Sequence, residues 1–181
     1  MIPIDYIILL VQKLIKRYGT SDPFKICTEL KVSFKFVDFD DLMGMYAVLG
    51  RNRYILLKQD LPEFVLYIVC LHELGHDQLH RELAKSAPLR DSALFRRLPI
   101  EHEANIFTAE FKHSDEATME LVRSGYSVDQ IAKATESFSD LVSIKLELLR
   151  HKGHELKNIE YNPNFLKFAE VGSYDTDYTP C

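Results

Sequence analysis

The hydrophobic positions near the start of the chain recur with the period of a helix. Residues 3 to 18 follow this pattern and stop at Gly19, a residue type that often ends helices in the left-handed conformation. Asp22 and Pro23 then have the order of an N-cap followed by a first helical residue, and the apolar pattern after them reaches about Leu30. The chain is therefore expected to open with two helices.

A period of two replaces the helical period in the next segment. Residues 32 to 37 alternate apolar and polar side chains, as a half-buried strand does. Two further apolar runs, 45 to 49 and 54 to 57, flank the turn-forming stretch Gly50-Arg51-Asn52-Arg53, which predicts a hairpin. Together these segments predict a small three-stranded antiparallel sheet.

The helical period returns after the hairpin. Asp60-Leu61-Pro62-Glu63 has the spacing of a capping box, which predicts Asp60 as the N-cap of a helix that runs to about His80. Residues 64 to 71 are apolar on every face, as in a helix buried at the centre of a domain. A polar linker follows, and the remaining helix signals are starts at Pro99, Ser127 and Ser137-Phe138-Ser139-Asp140 and stops at Gly125 and Gly153.

These elements predict an α+β fold that is mostly helical. The length of 181 residues suits one domain, which we place at residues 1–154 with the C-terminal helices at 115–153 included. Residues 155–181 have weak periodicity and are expected to form an irregular, partly mobile tail.

Composition narrows the class of protein. With 46% apolar and 27% charged residues the chain is an ordinary soluble globular protein, and its net charge of −5 disfavours direct nucleic-acid binding. The N-terminal apolar run is too short to span a membrane and lacks the features of a signal peptide, so a cytoplasmic location is expected. Cys27, Cys70 and Cys181 form no Cys-x-x-Cys pair and are expected to be free thiols, the first two of them buried.

The stretch LHELGHDQLH, at residues 71–80, carries the candidate chemistry. On a helix His72 and His76 lie about 6 Å apart along the axis and about 40° apart in rotation, so both imidazoles can reach one point. Zinc prefers such nitrogen ligands, and a catalytic zinc keeps one position open for water. Glu73 lies beside them, where a carboxylate can act as general base in H-E-x-x-H.

A satisfied cluster of polar core residues is the alternative to a metal site. An ionised glutamate and two histidines inside an apolar helix are costly to bury unless they are paired or bind a metal. The surrounding apolar residues therefore favour a metal. Gly75 fits the same interpretation, because a glycine inside a helix is tolerated where something approaches the backbone closely.

A catalytic zinc needs a third protein ligand. An apolar stripe on the helix that begins at Pro99 should face the core, and Glu103 falls about 50° from its centre while Glu101 falls about 110° away. Glu103 is therefore expected to point toward the first helix. His80 is expected to form a hydrogen bond nearby or to cap the helix end. The candidates are His80, Glu101, His102, Glu103 and Glu110, of which Glu110 is a possible partner behind the ligands.

Five stretches of the chain follow one family pattern: Arg17-Tyr18-Gly19-Thr20-Ser21-Asp22-Pro23, Gly44-Met45-Tyr46, His72-Glu73-Leu74-Gly75-His76, Glu103-Ala104-Asn105-Ile106-Phe107 and Gln130-Ile131-Ala132. Together they resemble the ImmA/IrrE family of zinc metallopeptidases over roughly the first 150 residues. The resemblance implies a zincin-like fold with one zinc ion (Zn²⁺) per chain on His72, His76 and Glu103, and Glu73 as general base. Glu103 follows His76 by 27 residues, which suits a gluzincin-like third ligand.

One segment departs from the family pattern. The family often continues with Ala-x-x-Leu-Leu-x-Pro, whereas here Thr108-Ala109-Glu110-Phe111-Lys112-His113-Ser114 follows. The departure concerns the wall of the cleft rather than the metal ligands.

The resemblance also implies a substrate class. Compact family members commonly accompany phages or mobile elements and cleave a helix-turn-helix transcriptional repressor, so we expect an endopeptidase that acts as an anti-repressor. The alternatives are a zinc-stabilised binding module that sequesters the repressor without cleavage, and a DNA-binding regulator that uses residues 128–134 and 138–151. Glu73 favours the enzyme, because a structural zinc site needs no base. Lys145, Arg150 and Lys152 are interpreted as a solvated helix face.

Overall fold

A computed structural model of the protein describes residues 1–91, 98–156 and 159–160. These residues form an α+β fold with more helix than strand, as the sequence pattern predicts. In chain order the elements are α1 (Ile4–Tyr18), α2 (Pro23–Glu29), β1 (Ser33–Val37), β2 (Gly44–Leu49), β3 (Asn52–Lys58), α3 (Glu63–Leu79), α4 (Arg81–Ala84), β4 (Leu89–Asp91), α5 (Pro99–Lys112), α6 (Asp115–Arg123), α7 (Val128–Ala134) and α8 (Ser139–His151).

The ends of the first two helices follow from local chemistry. Helix α1 stops because Gly19 adopts the left-handed conformation, with φ of 62°, and its N–H donates to the Ile15 carbonyl. Helix α2 starts because the Asp22 carboxylate accepts hydrogen bonds from the N–H groups of Phe24 and Lys25, at 2.9 and 3.3 Å. The predicted boundaries of both helices are confirmed.

The sheet differs from the predicted one in size and direction. It has four strands in the order β1-β3-β2-β4, and β1 runs parallel to β3. The hairpin of β2 and β3 is antiparallel, as predicted, and β4 adds a second antiparallel pair beside β2. The prediction of three antiparallel strands was wrong because alternation does not encode strand direction, and because the three residues of β4 are too few to produce a visible period.

Helix α3 crosses the middle of the fold between the sheet and α5. Its central residues are buried on every side, as the apolar run at 64–71 predicts. Its start was predicted wrongly: Pro62 occupies the N-cap position and Asp60 lies outside the helix. The predicted polar linker also contains structure of its own, since α4 and β4 lie within it.

The C-terminal helices pack around a second apolar cluster. Helix α7 begins after Ser127, as predicted, with a capping box in which the side chains of Ser127 and Gln130 each accept a hydrogen bond from the other residue's backbone N–H. Helix α8 contacts both α7 and α5, which agrees with a packing role rather than with a free recognition helix. The second cluster consists of Met119, Val122, Ile131, Ala132, Val142, Leu146 and Leu149.

One charged residue of α8 is not where the pattern placed it. Lys145 was interpreted as part of a solvated face, but its side chain is 1% exposed and donates to Glu110 and Asp115. Lys152 joins the same two carboxylates. The solvated interpretation of these two lysines was wrong because their ammonium groups pair with a buried carboxylate on α5 and a half-buried one on α6.

Three further expectations concern membrane-spanning helices, the cysteines and the C-terminal residues. In the described ranges no helix is both long and apolar enough to cross a membrane. Cys27 and Cys70 are buried free thiols, as predicted. Cys181 and most of the predicted tail at 155–181 lie outside the described residues.

Candidate metal centre

The two histidines of the motif meet inside the fold. His72 and His76 lie on consecutive turns of α3, and each is at most 1% exposed. Their ring centroids are 4.8 Å apart and their Nε2 atoms 3.1 Å apart. The four-residue spacing therefore brings both Nε2 atoms to one point, as predicted.

Helix α5 supplies the carboxylate that lies against both rings. Glu101 Oε2 is 3.0 Å from His72 Nε2 and 3.5 Å from His76 Nε2. Among the described residues these three side chains form one potential metal-binding group, with ligand atoms all within 4.8 Å of one another. Glu101 itself is buried.

The outer nitrogens of both histidines face other partners. His72 Nδ1 lies 3.0 Å from Asn105 Oδ1, and His76 Nδ1 lies 2.9 Å from His80 Nδ1. An amide oxygen only accepts, so the Nδ1–H of His72 donates to it and its Nε2 carries a lone pair. The Nδ1–H of His76 donates to His80 Nδ1 in the same way, so the Nε2 of His76 also carries a lone pair. Two nitrogen lone pairs and a carboxylate oxygen thus converge, and these are the donor atoms of a cation site.

The spacing of these atoms suits zinc. Four ligands at about 2.0–2.1 Å in a tetrahedron lie about 3.3 Å from one another. The three separations at this site range from 3.0 to 3.5 Å. Nitrogen and carboxylate donors are also the ligands that a catalytic zinc takes. The residues present therefore fit the metal that the motif predicts.

The charge states match the geometry. Burial lowers the pKa of His76 to about 4, although the nearby Glu101 carboxylate opposes this. Burial raises the pKa of Glu101, but the adjacent His72 and His76 rings outweigh it and hold the pKa well below its usual range. At neutral pH His76 is thus neutral and Glu101 ionised, the protonation states that metal ligation requires.

Glu103, the third ligand expected from the sequence, occupies a different position. It contacts the end of α3: its Oε2 lies 2.7 Å from Nε2 of His80, the C-cap of that helix, and its Oε1 accepts from the Ile2 N–H at 2.6 Å. The angles of Glu103 and Glu101 from the apolar stripe, about 50° and about 110°, did not identify the carboxylate beside the rings, because α5 is buried on all sides from Glu101 to Phe111. The metal-ligand role of Glu103 stays a prediction, while Glu101 is the carboxylate beside the two rings.

Glu73 lies on the side of α3 that faces strand β2. It is fully buried. A Cβ added to Gly44 would lie 2.5 Å from Glu73 Oε1 and 2.7 Å from Val69 Cγ1. The absence of a side chain at Gly44 therefore makes room for the carboxylate. The sequence signal was a glycine in a strand, which often marks a close approach.

The two helices that carry the site are packed closely. A Cβ added to Gly75 would lie 3.2 Å from Phe107 Cδ1 and 3.4 Å from Ala104 Cα. The expectation that something approaches the Gly75 backbone is confirmed, and the approaching group is α5. This contact brings Glu101 and Asn105 within reach of His72.

Of the remaining candidate residues, His80 contacts a site histidine and Glu110 does not. His80 caps the end of α3 and forms hydrogen bonds to His76 and Glu103, as expected. Glu110 pairs with lysines of the C-terminal helices instead of approaching the site. Sequence reasoning missed Asn105 as a partner of His72; its signal was a polar residue four positions after Glu101 on a helix with an apolar stripe.

Comparisons with known proteins agree with the motifs. Residues 27–147 match the model of peptidase family M78, described as the IrrE N-terminal-like domain. The chain is 31% identical over 136 residues, 75% of this chain and 85% of the relative, to the uncharacterized immunity region protein 2 of Bacillus phage phi105. It is 26% identical over 125 residues, 67% of this chain and 73% of the relative, to metallopeptidase ImmA of Bacillus subtilis strain 168. No solved structure matches the chain significantly. With a family model that covers most of its length, the chain belongs to the ImmA/IrrE family of metallopeptidases.

Proposed function

We propose that this protein is a zinc-dependent endopeptidase with one zinc ion per chain, held by His72, His76 and Glu101, and with Glu73 as general base. The observation that carries the proposal is the convergence of His72 Nε2, His76 Nε2 and Glu101 Oε2 within 4.8 Å, next to a glutamate on the same helix. A bound zinc ion supplies Lewis acidity to polarise the scissile carbonyl and to lower the pKa of the attacking water.

Glu73 moves the proton in this scheme. As the water oxygen adds to the carbonyl carbon, the Glu73 carboxylate takes one proton from the water. It then gives this proton to the amide nitrogen as the carbon–nitrogen bond breaks, so that an amine and a carboxylic acid result. The position of Glu73, next to His72 in sequence and buried beside Gly44, supports this role.

Glu73→Gln tests the base. The amide has nearly the same shape but cannot accept the proton, so zinc binding and folding should persist while peptide hydrolysis falls by about 100-fold or more. Zinc content, circular dichroism and cleavage of the substrate are measured on the same preparation. Cleavage at the wild-type rate would remove Glu73 from the mechanism.

Glu101→Gln and Glu103→Gln form a matched pair that tests the third ligand. Both exchanges are isosteric and both sites are buried on α5. Glu101 lies against both rings, so its exchange should lower zinc affinity more than the exchange of Glu103, whose oxygens face His80 and Ile2. The reverse order, measured by titration with zinc, would return the ligand role to Glu103.

For the substrate we propose a helix-turn-helix transcriptional repressor of a phage or mobile element, encoded beside this protein and cleaved in the cytoplasm. The family resemblance and the similarity to an immunity region protein of a phage support this class. Selectivity has a physical basis, because the site residues are almost fully buried and an extended segment must be presented to them. Docking of one partner outside the site raises the effective concentration of that segment.

The second candidate is sequestration of the repressor without cleavage. The burial of His72 and Glu73, both 0% exposed, favours it, since structural zinc sites are closed. The two candidates separate when wild type or Glu73→Gln is co-expressed with the repressor and the repressor length is followed on a gel. Loss of full-length repressor with wild type alone supports cleavage; relief of repression by both, with intact repressor, supports sequestration.

A further inference from the structure

We propose that Glu103 acts through His80 as a positioning residue, which holds the His76 imidazole in the tautomer whose Nε2 is free to bind a metal ion. The inference rests on the proposed function only in naming the metal as the purpose of that tautomer. The hydrogen-bond chain itself is a property of the protein alone.

The hydrogen-bond chain begins at the Glu103 carboxylate, both of whose oxygens have a partner. Glu103 Oε1 accepts the Ile2 N–H at 2.6 Å, and Oε2 lies 2.7 Å from His80 Nε2. His80 Nδ1 in turn lies 2.9 Å from His76 Nδ1. His80 and Glu103 are each 4% exposed, so water competes little for these bonds.

The direction of every bond follows from the carboxylate. An ionised Glu103 only accepts, so the His80 Nε2–H donates to it and His80 Nδ1 carries the lone pair. The Nδ1–H of His76 therefore donates to His80, and His76 Nε2 presents its lone pair toward His72 and Glu101, at 3.1 and 3.5 Å. If each hydrogen bond ran in the opposite direction, a proton would lie on His76 Nε2, at the point where the ligand atoms converge.

Glu103→Gln should reverse the direction of each hydrogen bond in this series while keeping the shape of the side chain. A glutamine has one accepting oxygen and a donating NH₂ group. The Ile2 N–H needs the oxygen, so the NH₂ group turns toward His80 and donates to its Nε2. His80 then donates through Nδ1 to His76, whose proton moves to Nε2. His80→Phe is the second variant, because it removes both ring nitrogens from the chain and leaves Glu103 intact.

Two readouts test the proposal. Nitrogen NMR of the imidazoles in the zinc-free protein reports which nitrogen of His76 carries the proton: Nδ1 in wild type and Nε2 in Glu103→Gln. Zinc titration should give an affinity about 10- to 100-fold lower in Glu103→Gln and His80→Phe, the size expected for partners behind a ligand. Glu110→Gln is the control, a buried glutamate of the same helix that pairs with Lys145 and Lys152, and its zinc affinity should equal that of wild type.

Three results would overturn the proposal. One is a proton on Nε2 of His76 in zinc-free wild type. Another is an unchanged His76 tautomer in Glu103→Gln. The third is loss of zinc from Glu103→Gln with full affinity in His80→Phe, since this would make Glu103 a ligand. Failure of wild type to bind zinc would instead refute the proposed function, and the tautomer comparison would still decide the hydrogen-bond chain.

Discussion

Gly44 shows how a single residue controls the position of the candidate base. Strand β2 passes Glu73 so closely that a methyl group at position 44 would overlap both Glu73 Oε1 and Val69 Cγ1. The backbone of Gly44 does not have a positive φ, so alanine would cause no conformational strain of its own. Any effect of a substitution at this position therefore reports the contact with α3.

The first prediction is that Gly44→Ala destabilises the protein and displaces Glu73. Overpacking of this kind costs about 1–3 kcal/mol in the free energy of unfolding. Peptide hydrolysis should fall while zinc is retained, because Gly44 contacts the base and not the ligands. Urea unfolding, zinc analysis and a cleavage assay measure the three effects. Wild-type stability together with wild-type cleavage would contradict the close contact.

The second prediction concerns His113, which lies at the opposite end of α5 from Glu101. It is the C-cap of α5, 3% exposed, and 3.0 Å from Ser137 Oγ. Burial, together with the positive charges of Lys112 and Lys145, lowers its pKa from 6.5 to about 3. The unfolded chain therefore binds a proton that the folded protein does not, and this contribution to stability is lost as the pH falls from about 6.5 toward 3.

His113→Gln should remove this pH dependence and keep a polar group near Ser137. Between about pH 7 and pH 5.5, the free energy of unfolding of wild type should fall by about 1 kcal/mol more than that of the variant. Urea unfolding of both zinc-free proteins across this range measures the difference. Parallel stability curves would contradict the lowered pKa, because they would show that His113 binds its proton equally well in the folded and unfolded states.

At the scale of elements, a buried carboxylate joins the sheet to α3 one residue after His76. Asp77 is fully buried and accepts from Tyr46 on β2 at 2.8 Å and from Arg53 on β3 at 2.8 Å. The neighbouring Gln78 side chain and Arg81 on α4 also donate to Asp77, at 2.5 and 3.2 Å. Burial, and then the Asp77 charge, raise the pKa of the Tyr46 hydroxyl, so it remains a donor. Four elements thus meet at one carboxylate.

The third prediction is a graded series of stability losses in this network. Asp77→Asn should cost about 3 kcal/mol in the free energy of unfolding, because it leaves buried donors without their charged partner. Tyr46→Phe should cost about 1 kcal/mol, the value of one hydrogen bond. Arg81→Ala should cost less than about 1 kcal/mol, since that side chain is 42% exposed. Urea unfolding of the three variants measures the order, and a smaller loss for Asp77→Asn than for Arg81→Ala would contradict it.

At the scale of the whole molecule, metal binding and folding are coupled. The proposed ligands come from α3 and α5, which are 29 residues apart between His72 and Glu101 and are brought together only in the folded protein. A metal ion that binds this arrangement therefore stabilises the fold as a whole.

The fourth prediction is that removal of zinc by a chelator lowers the melting temperature reversibly. Free zinc at a hundred times its dissociation constant raises the free energy of unfolding by about 2.7 kcal/mol. Glu73→Gln should keep this increment, because the base is not a ligand, and Glu101→Gln should lose most of it. Thermal unfolding with and without zinc measures the increment. An equal increment in Glu101→Gln would exclude Glu101 as a ligand.

Features encoded within a few residues were predictable from the sequence by itself. Gly19, Asp22 and Ser127 mark helix ends because the hydrogen bonds that cap a helix join residues at most a few positions apart. The hairpin of β2 and β3 and the meeting of His72 with His76 have the same local origin. Spacing along one element determined these features.

Only the tertiary structure decided which distant groups meet. Three features depend on how elements pack: the parallel pairing of β1 with β3, the burial of Lys145, and the position of Glu101 rather than Glu103 beside the two histidine rings. Helix α5 is enclosed on all sides, so its apolar stripe did not reveal which glutamate faces His72. Helical period reports burial, whereas a contact between α3 and α5 depends on their relative position, and the period of one helix carries no information about that position.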